Sequence, residues 1–303
     1  MRGVDPCYFG PIPPRRIPHL VATANAPEFT MHNIRLDDGA QTKPGAVSME
    51  AHPVFVATRK LLLTAFPGDK SALRIADLGC LEGGFAVEFA RMGFQVLGLE
   101  VRESNLEACR YAQARVKLPN LAFVKDDAWN LAAHGAFDIV FCNGLLYHLD
   151  RPREFLGLLS AAARRCLVLN THFAVAADAA ERLPYRVQRW LGLPVSGRQK
   201  FNLSEETEHE GLPGRWFPEF ATEQQFSDRE ALRWAAWDNR RSFWIQREYL
   251  IGALYEAGFD FVAEQFDILA PDIAQSMTRG YYRTDCRGMF VALKTAAAAP
   301  AAR

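Results

Sequence analysis

The residues able to do chemistry in this chain fall into two groups. The first is a run of glycines behind an acid. Residues 73–88 read L-R-I-A-D-L-G-C-L-E-G-G-F-A-V-E, with Asp77 followed by Gly79, Cys80, Gly83 and Gly84. Glycine lets backbone approach a ligand where a Cβ would collide, and a helix starting there aims free N–H groups at the same point. This is nucleotide-binding chemistry. Glu100 lies about one βαβ spacing further on, where an acid accepts from two ribose hydroxyls. The second group is histidine. His148 in L-L-Y-H-L and His172 in N-T-H-F each follow a predicted strand. An imidazole, with a reference pKa of about 6.5, suits proton transfer at neutral pH.

A doubly wound α/β sheet would bring both groups to one edge. The pattern predicts a helix from Ser48, capped by that serine, to about Phe66, then a strand running into Asp77. Further strands are expected at 95–100, 121–124, 137–142 and 166–170, with helices around 104–116, 153–164 and 246–257. Gly258 stops the last helix, and two closing strands follow at 259–266 and 288–294. The tract 31–42 alternates apolar and polar residues up to a D-D-G turn, as a short strand or hairpin arm would. His32 in that arm is a candidate to close over the site.

Formal net charge is zero, 35 basic against 35 acidic residues, which argues against nucleic acid or an acidic membrane as a global partner. No apolar run approaches the roughly 20 residues of a membrane span, and residues 1–25 carry no apolar signal core. The six cysteines are scattered without a C-x-x-C pair, as expected for buried thiols in a reducing cytoplasm. No metal site is expected; Asp126 and Asp127 have no third ligand at suitable spacing.

About 70 residues separate the fifth strand from the next helix, where a minimal fold uses about 2–6. Trp190, Trp216, Trp234, Trp237 and Trp244 fall in or at the end of this stretch. It leaves from the ligand-binding edge of the sheet, so it reads as a lid. Trp216, Trp237, Asn239, Arg240 and Trp244 are candidate substrate contacts; the alternative is that the tryptophans form the insertion's own core. The expected units are an arm at 1–47, a Rossmann-like domain at 48–173 and 245–295, the lid at 174–244 and a frayed tail at 296–303.

The D-x-G-C-x-x-G form resembles motif I of the class I S-adenosylmethionine-dependent methyltransferases, and no dinucleotide G-x-G-x-x-G triplet occurs. Asp126, Asp127 and Ala128 resemble that family's acid-plus-alanine motif beside adenine. Residues 143–149, N-G-L-L-Y-H-L, resemble its post-strand segment facing the methionine end of the cofactor. The L-Y-H run is similar to bacterial members of unassigned substrate and to the tRNA wobble-uridine carboxymethyl transferases. The chain departs from many members at Leu81, where they carry glycine; a side chain there would narrow the turn.

The resemblance implies a seven-stranded sheet, its last strand antiparallel, with helices on both faces and S-adenosylmethionine as cofactor, leaving as S-adenosylhomocysteine. It implies cofactor contacts from Asp77, Gly79, Cys80, Gly83, Glu100, Asp126, Asp127, Ala128 and Asn143. Methyl transfer to an alcohol or protonated amine needs a base, for which His148 and His172 are the candidates, with Tyr147 beside substrate or packed on the cofactor. Glu82, inside the turn, reads as a solvated acid, the alternative being a contact with the amino group of methionine. The expected acceptor is a small molecule bearing O or N, such as a glycosylated or polyketide-like natural product. Alternatives are an RNA-modifying enzyme with a basic surface around Arg15, Arg16, Arg189, Arg198, Arg240 and Arg241, and a cofactor-binding protein without methyl transfer. The arm is a candidate dimerisation element, so monomer and homodimer both stand.

Overall fold

The computed structural model describes residues 26–176, 197–269, 272–278 and 281–295, and positions 187, 190 and 191 singly. The expectations for residues 1–25 and 296–303, with Cys7, Arg15, Arg16 and Arg189, lie outside the described residues.

Ser48 does not cap the first helix. It precedes a one-turn 3-10 helix, Met49–Ala51, and its side chain caps nothing. The α-helix proper, α1 (Pro53–Ala65), starts at Pro53, whose missing N–H and fixed φ suit a first turn. Next come β1 (Arg74–Leu78), α2 (Gly84–Arg91), β2 (Gln95–Glu100), α3 (Glu103–Val116), β3 (Leu121–Lys125), β4 (Phe137–Asn143), α4 (Pro152–Ala162) and β5 (Ala163–His172). After the insertion follow α5 (Arg247–Glu256), β9 (Phe261–Gln265) and β10 (Arg287–Leu293). The sheet order is β3-β2-β1-β4-β5-β10-β9. β1 to β5 run parallel, and β10 lies antiparallel between β5 and β9. The seven-stranded Rossmann-like sheet, antiparallel in its last strand, is therefore present.

The central strands are apolar almost throughout because both faces are covered. On β4, Ile139 and Phe141 join a core with α1, α2 and α3 residues such as Phe55, Phe89 and Ala112. Val140 and Cys142 join the opposite core with Leu156 and Leu159 of α4 and Leu254 of α5. This alternation is the period-2 geometry of a strand.

The insertion contributes a three-stranded antiparallel sheet, β6 (Thr207–His209), β7 (Leu212–Pro218) and β8 (Arg241–Ile245). The expected border at 244/245 falls inside β8. The insertion is tied to the main sheet by Phe243 N donating to Leu149 O and Ala174 N donating to Ile245 O, both at 2.9 Å. Both ties lie just past the carboxyl ends of β4 and β5.

Candidate active site

The turn after β1 passes close under its neighbours. Gly83 has φ +79°, and a Cβ on it would lie 2.6 Å from Phe123 Cζ. Leu81 holds the left-handed φ of +52°, a conformation that favours glycine. Its N–H donates to Glu100 Oε2 at 2.9 Å, and Arg102 N donates to Oε1 at 2.9 Å. Glu100 is thus a buried carboxylate aimed by two backbone donors. Burial raises its pKa, and those donors work against the rise. Cys80 packs beneath, its Sγ 3.9 Å from Cys109 Sγ, and burial lifts its pKa well above normal.

Among the described residues, two acceptors on β1 and β4 have no donor. Asp77 Oδ2 and Asn143 Oδ1 are buried without a hydrogen-bond partner. Leu78 pairs with Cys142 across β1 and β4, so both orphans lie at the ends of adjacent strands. A buried unmatched acceptor costs about 1–3 kcal/mol, so such a pair marks a place where a ligand supplies donors. Burial, and secondarily the charge of Glu100, pushes Asp77 up to about 8. An ammonium-bearing amino-acid tail, which the expected cofactor has, fits this donor-poor pair.

Asp127 Oδ1 accepts from Trp129 N at 3.0 Å and starts the 3-10 turn Ala128–His134. Asp126 is committed to the same turn, accepting from Asn130 Nδ2 and pairing with His134 Nε2, both at 2.7 Å. Those bonds lower its pKa. Burial raises that of Asp127; the Trp129 N–H opposes the rise and the Asp238 charge of the insertion adds to it.

The segment after β4 carries a dyad. His148 Nδ1 lies 3.0 and 3.1 Å from the two oxygens of Glu219. The side chain of Glu219, in the turn after β7, is 1% exposed. It also accepts from Ser242 Oγ at 2.6 Å and Ala236 N at 3.0 Å. A carboxylate held by these two further donors fixes the ring orientation. With Nδ1–H donating to it, Nε2 carries the lone pair. The residues after β4 thus meet those after β7 in an arrangement that can take up a proton.

His172 sits beside this dyad in a packed aromatic box. Its ring stacks on Trp244 at 4.9 Å and 11° and meets Tyr147 edge-on at 4.6 Å. Nδ1 lies 3.0 Å from Cys286 O and 3.1 Å from Asp285 O, and Nε2 is buried without a partner. Burial, then the Arg287 charge, drives its pKa well below normal. Trp244 is 2% exposed and its Nε1–H donates to Tyr147 O at 2.9 Å. His148, His172, Tyr147 and Trp244 are therefore brought together.

The other expected contacts lie elsewhere. Trp216 packs on His209 and Phe243 under the Arg241 guanidinium. Trp237 lies between Arg102 and Arg229, whose Cζ atoms are 5.3 and 4.9 Å from its ring. Asn239 bonds its neighbour Arg241 O, and Arg240 pairs with Glu223 at the surface. Glu82 is a correction: it is not solvated but fully buried, because three backbone N–H groups of residues 30–32 and the Thr30 hydroxyl converge on it. Glu219 and Ser242 were missed by sequence reasoning. Nothing in P-E-F or R-S-F signals a partner 71 residues from His148.

Residues 75–167 match a family described as "Methyltransferase domain". A ubiquinone biosynthesis O-methyltransferase of Albidiferax ferrireducens is 32% identical over 81 residues, covering 26% of this chain and 32% of that protein. One from Rickettsia canadensis is 27% identical over 94 residues, covering 31% and 39%. The chain thus spans about a third of the length of these relatives. Among solved structures, the N-terminal domain of EvdMO1, crystallised with S-adenosylhomocysteine and D-fucose, superposes with a TM-score of 0.58 at 22% identity. It covers 87% of this chain and 91% of that one. Among the described residues no helix is long and apolar enough to cross a membrane, and no group of three His, Cys, Asp or Glu gathers as a metal site.

Proposed function

We propose that this chain, which over residues 75–167 carries a methyltransferase domain of the class I S-adenosylmethionine-dependent kind, methylates a hydroxyl of a small-molecule acceptor, with His148 as the base. The observation that carries this reading is the His148–Glu219 dyad. S-adenosylmethionine, when bound, supplies a methyl group already activated on a sulfonium. What remains for the chain is to place the acceptor, exclude water and remove its proton. An alcohol or phenol oxygen is a poor nucleophile until that proton leaves. His148 Nε2 takes it, and Glu219 stabilises the imidazolium that forms.

Asp77, Asn143 and Glu100 would hold the cofactor's ammonium and ribose ends, and Asp127 its adenine edge. Gly79, Gly83 and Ala128 let it lie close, and Cys80 packs behind. Tyr147 forms an aromatic wall on the acceptor side, backed by the buried Trp244; Trp216, Trp237, Asn239 and Arg240 stand apart from it on the insertion. His172 is assigned to positioning: with its Nδ1 at backbone carbonyls and its ring stacked on Trp244, it sets the Tyr147 wall.

The relatives named as ubiquinone biosynthesis O-methyltransferases favour an oxygen acceptor over nitrogen. The test is calorimetry with S-adenosylhomocysteine, then an acceptor screen with wild type and His148→Gln. Cofactor binding by both, with turnover of hydroxyl acceptors by wild type alone, supports the reading. Equal turnover by His148→Gln sinks the base assignment, and no binding by wild type sinks the cofactor assignment. Within the same family a nucleic-acid acceptor finds less support. Arg198 and Arg240 are each paired with a glutamate, and Arg241 lies over Trp216.

A further inference from the structure

The acid inside the glycine turn does not point toward a ligand. Glu82 Oε1 accepts from Thr30 N and from Thr30 Oγ1, the latter at 2.8 Å. Its Oε2 accepts from Met31 N at 3.1 Å and His32 N at 2.7 Å. The next contact reinforces these: Gly84 N, in the first turn of α2, donates to His32 Nδ1 at 3.0 Å. An imidazole can accept there only when neutral, and burial lowers the His32 pKa, against the raising influence of Glu82 itself. A Cβ on Gly84 would lie 2.8 Å from His32 Cγ, so glycine is what lets the arm seat this close. From the other side, Arg233 of the insertion donates to Glu28 O at 3.0 Å and lies 3.8 Å from Glu82. Arm and insertion therefore meet at the one turn that carries the nucleotide-binding glycines.

We propose that Glu82 is the post on which residues 28–32 latch, so that docking of this segment on the glycine turn is coupled to cofactor binding. This rests on the cleft holding the cofactor. The physical argument is that Glu82 sits two residues from Cys80 and one from Gly83, so whatever orders its carboxylate orders the turn. The same turn supplies Leu81 N to Glu100, the expected ribose acid. Coupling is reciprocal: if a docked arm strengthens cofactor binding by some factor, the cofactor strengthens arm docking by that factor. Glu82 is a positioning residue in this scheme and touches no reacting atom.

The test uses the full chain and S-adenosylhomocysteine. Glu82→Gln leaves an amide N–H facing backbone donors, and the loss of charge-assisted bonds corresponds to about 10- to 100-fold. The expected results are an S-adenosylhomocysteine off-rate raised by about tenfold or more and faster trypsin cleavage at Arg35, which is exposed. In wild type, S-adenosylhomocysteine should slow that cleavage; in the variant it should not. Thr30→Val removes one hydroxyl donor without disturbing a buried charge. It should shift both readouts in the same direction by a smaller amount, and it decides the matter if Glu82→Gln does not fold. Off-rates within twofold of wild type in the folded variants, or wild-type cleavage unaffected by S-adenosylhomocysteine, overturn the latch while leaving the cofactor reading intact. A wild type that does not bind S-adenosylhomocysteine overturns the cofactor reading and the latch with it.

Discussion

The two walls of the cleft are held by opposite kinds of contact. Around the proposed cofactor acids the bonds are short in sequence: Leu81 to Glu100 spans 19 residues, Arg102 to Glu100 two, and Trp129 to Asp127 two; only the bonds of Glu82 to the arm reach further, across 50 to 52. On the acceptor wall His148 meets Glu219 across 71 residues, and Trp244 holds Tyr147 across 97. Turns of the first kind form as neighbouring strands pair. Contacts of the second kind form only when the insertion docks, after a longer loop has been closed. Cofactor binding and acceptor chemistry should therefore be separable by mutation.

The largest effect should fall on the acceptor wall. His148→Ala should lower kcat by about 10²- to 10⁴-fold, the usual contribution of a general base. Glu219→Gln should lower it by a smaller factor, through a misoriented imidazole. Neither should move S-adenosylhomocysteine affinity more than about twofold, since their bonds lie on the insertion side. Single-turnover rates and calorimetry on the same preparations check both halves. A large loss of cofactor affinity in Glu219→Gln would show that the walls are not independent.

The next effect belongs to the arm side of the cofactor wall and appears in stability against pH. His52 packs edge-on to Phe85. Burial, then the charges of His32 and Arg287, lowers its pKa to about 4. The folded state therefore holds the neutral ring. Its contribution is full above the unfolded pKa of about 6.5 and is lost as pH falls toward 4. At pH 5 the loss is about 2 kcal/mol. Urea midpoints at pH 7 and pH 5 measure it, and His52→Phe, which keeps a ring against Phe85, should flatten the dependence. An equally steep dependence in His52→Phe would move the effect to another group.

The same asymmetry decided what the sequence could disclose. Asp77, Gly83, Glu100 and Asp127 were legible because strand, turn and acid are consecutive and their spacing reflects βαβ geometry. The sheet followed from the same rhythm, and β2 matched to the residue. Ser48 misled because Pro53, five residues later, offered a better helix start. Glu82 misled because its partners come from residues 30–32, which no periodicity links to the turn. Glu219 was silent for the same reason.

A smaller effect should appear in cofactor binding near neutral pH. Asp77, pushed to about 8 by burial, is mostly protonated at pH 7. If its orphaned oxygen receives the cofactor's ammonium, the carboxylate must ionise. Close to one proton should then leave on binding at pH 7, and affinity should rise about fivefold between pH 7 and 8 and level off above about pH 9. Calorimetry in two buffers of different ionisation enthalpy counts that proton, and Asp77→Asn should abolish its release. Release unchanged in Asp77→Asn would assign the proton to Glu100, whose pKa is also raised by burial.

The smallest effect tests whether the insertion's surface takes part at all. Arg240 bonds Glu223 through Nε at 3.0 Å and Nη2 at 2.6 Å, and each raises or lowers the other's pKa in the sense of an ion pair. Both side chains are mostly exposed, 60% and 77%, where water and salt screen the attraction and ordering two long chains offsets the rest. Arg240→Gln should therefore leave the melting temperature unchanged within error. Its KM for the acceptor is the informative number. An unchanged value confines recognition to the inner ring around His148, Tyr147 and Trp244. A rise of several-fold with constant kcat would mean that Arg240 leaves Glu223 to bind the acceptor, because removing a contact equal in ground and transition states raises KM alone. The acceptor wall would then extend to the rim of the insertion.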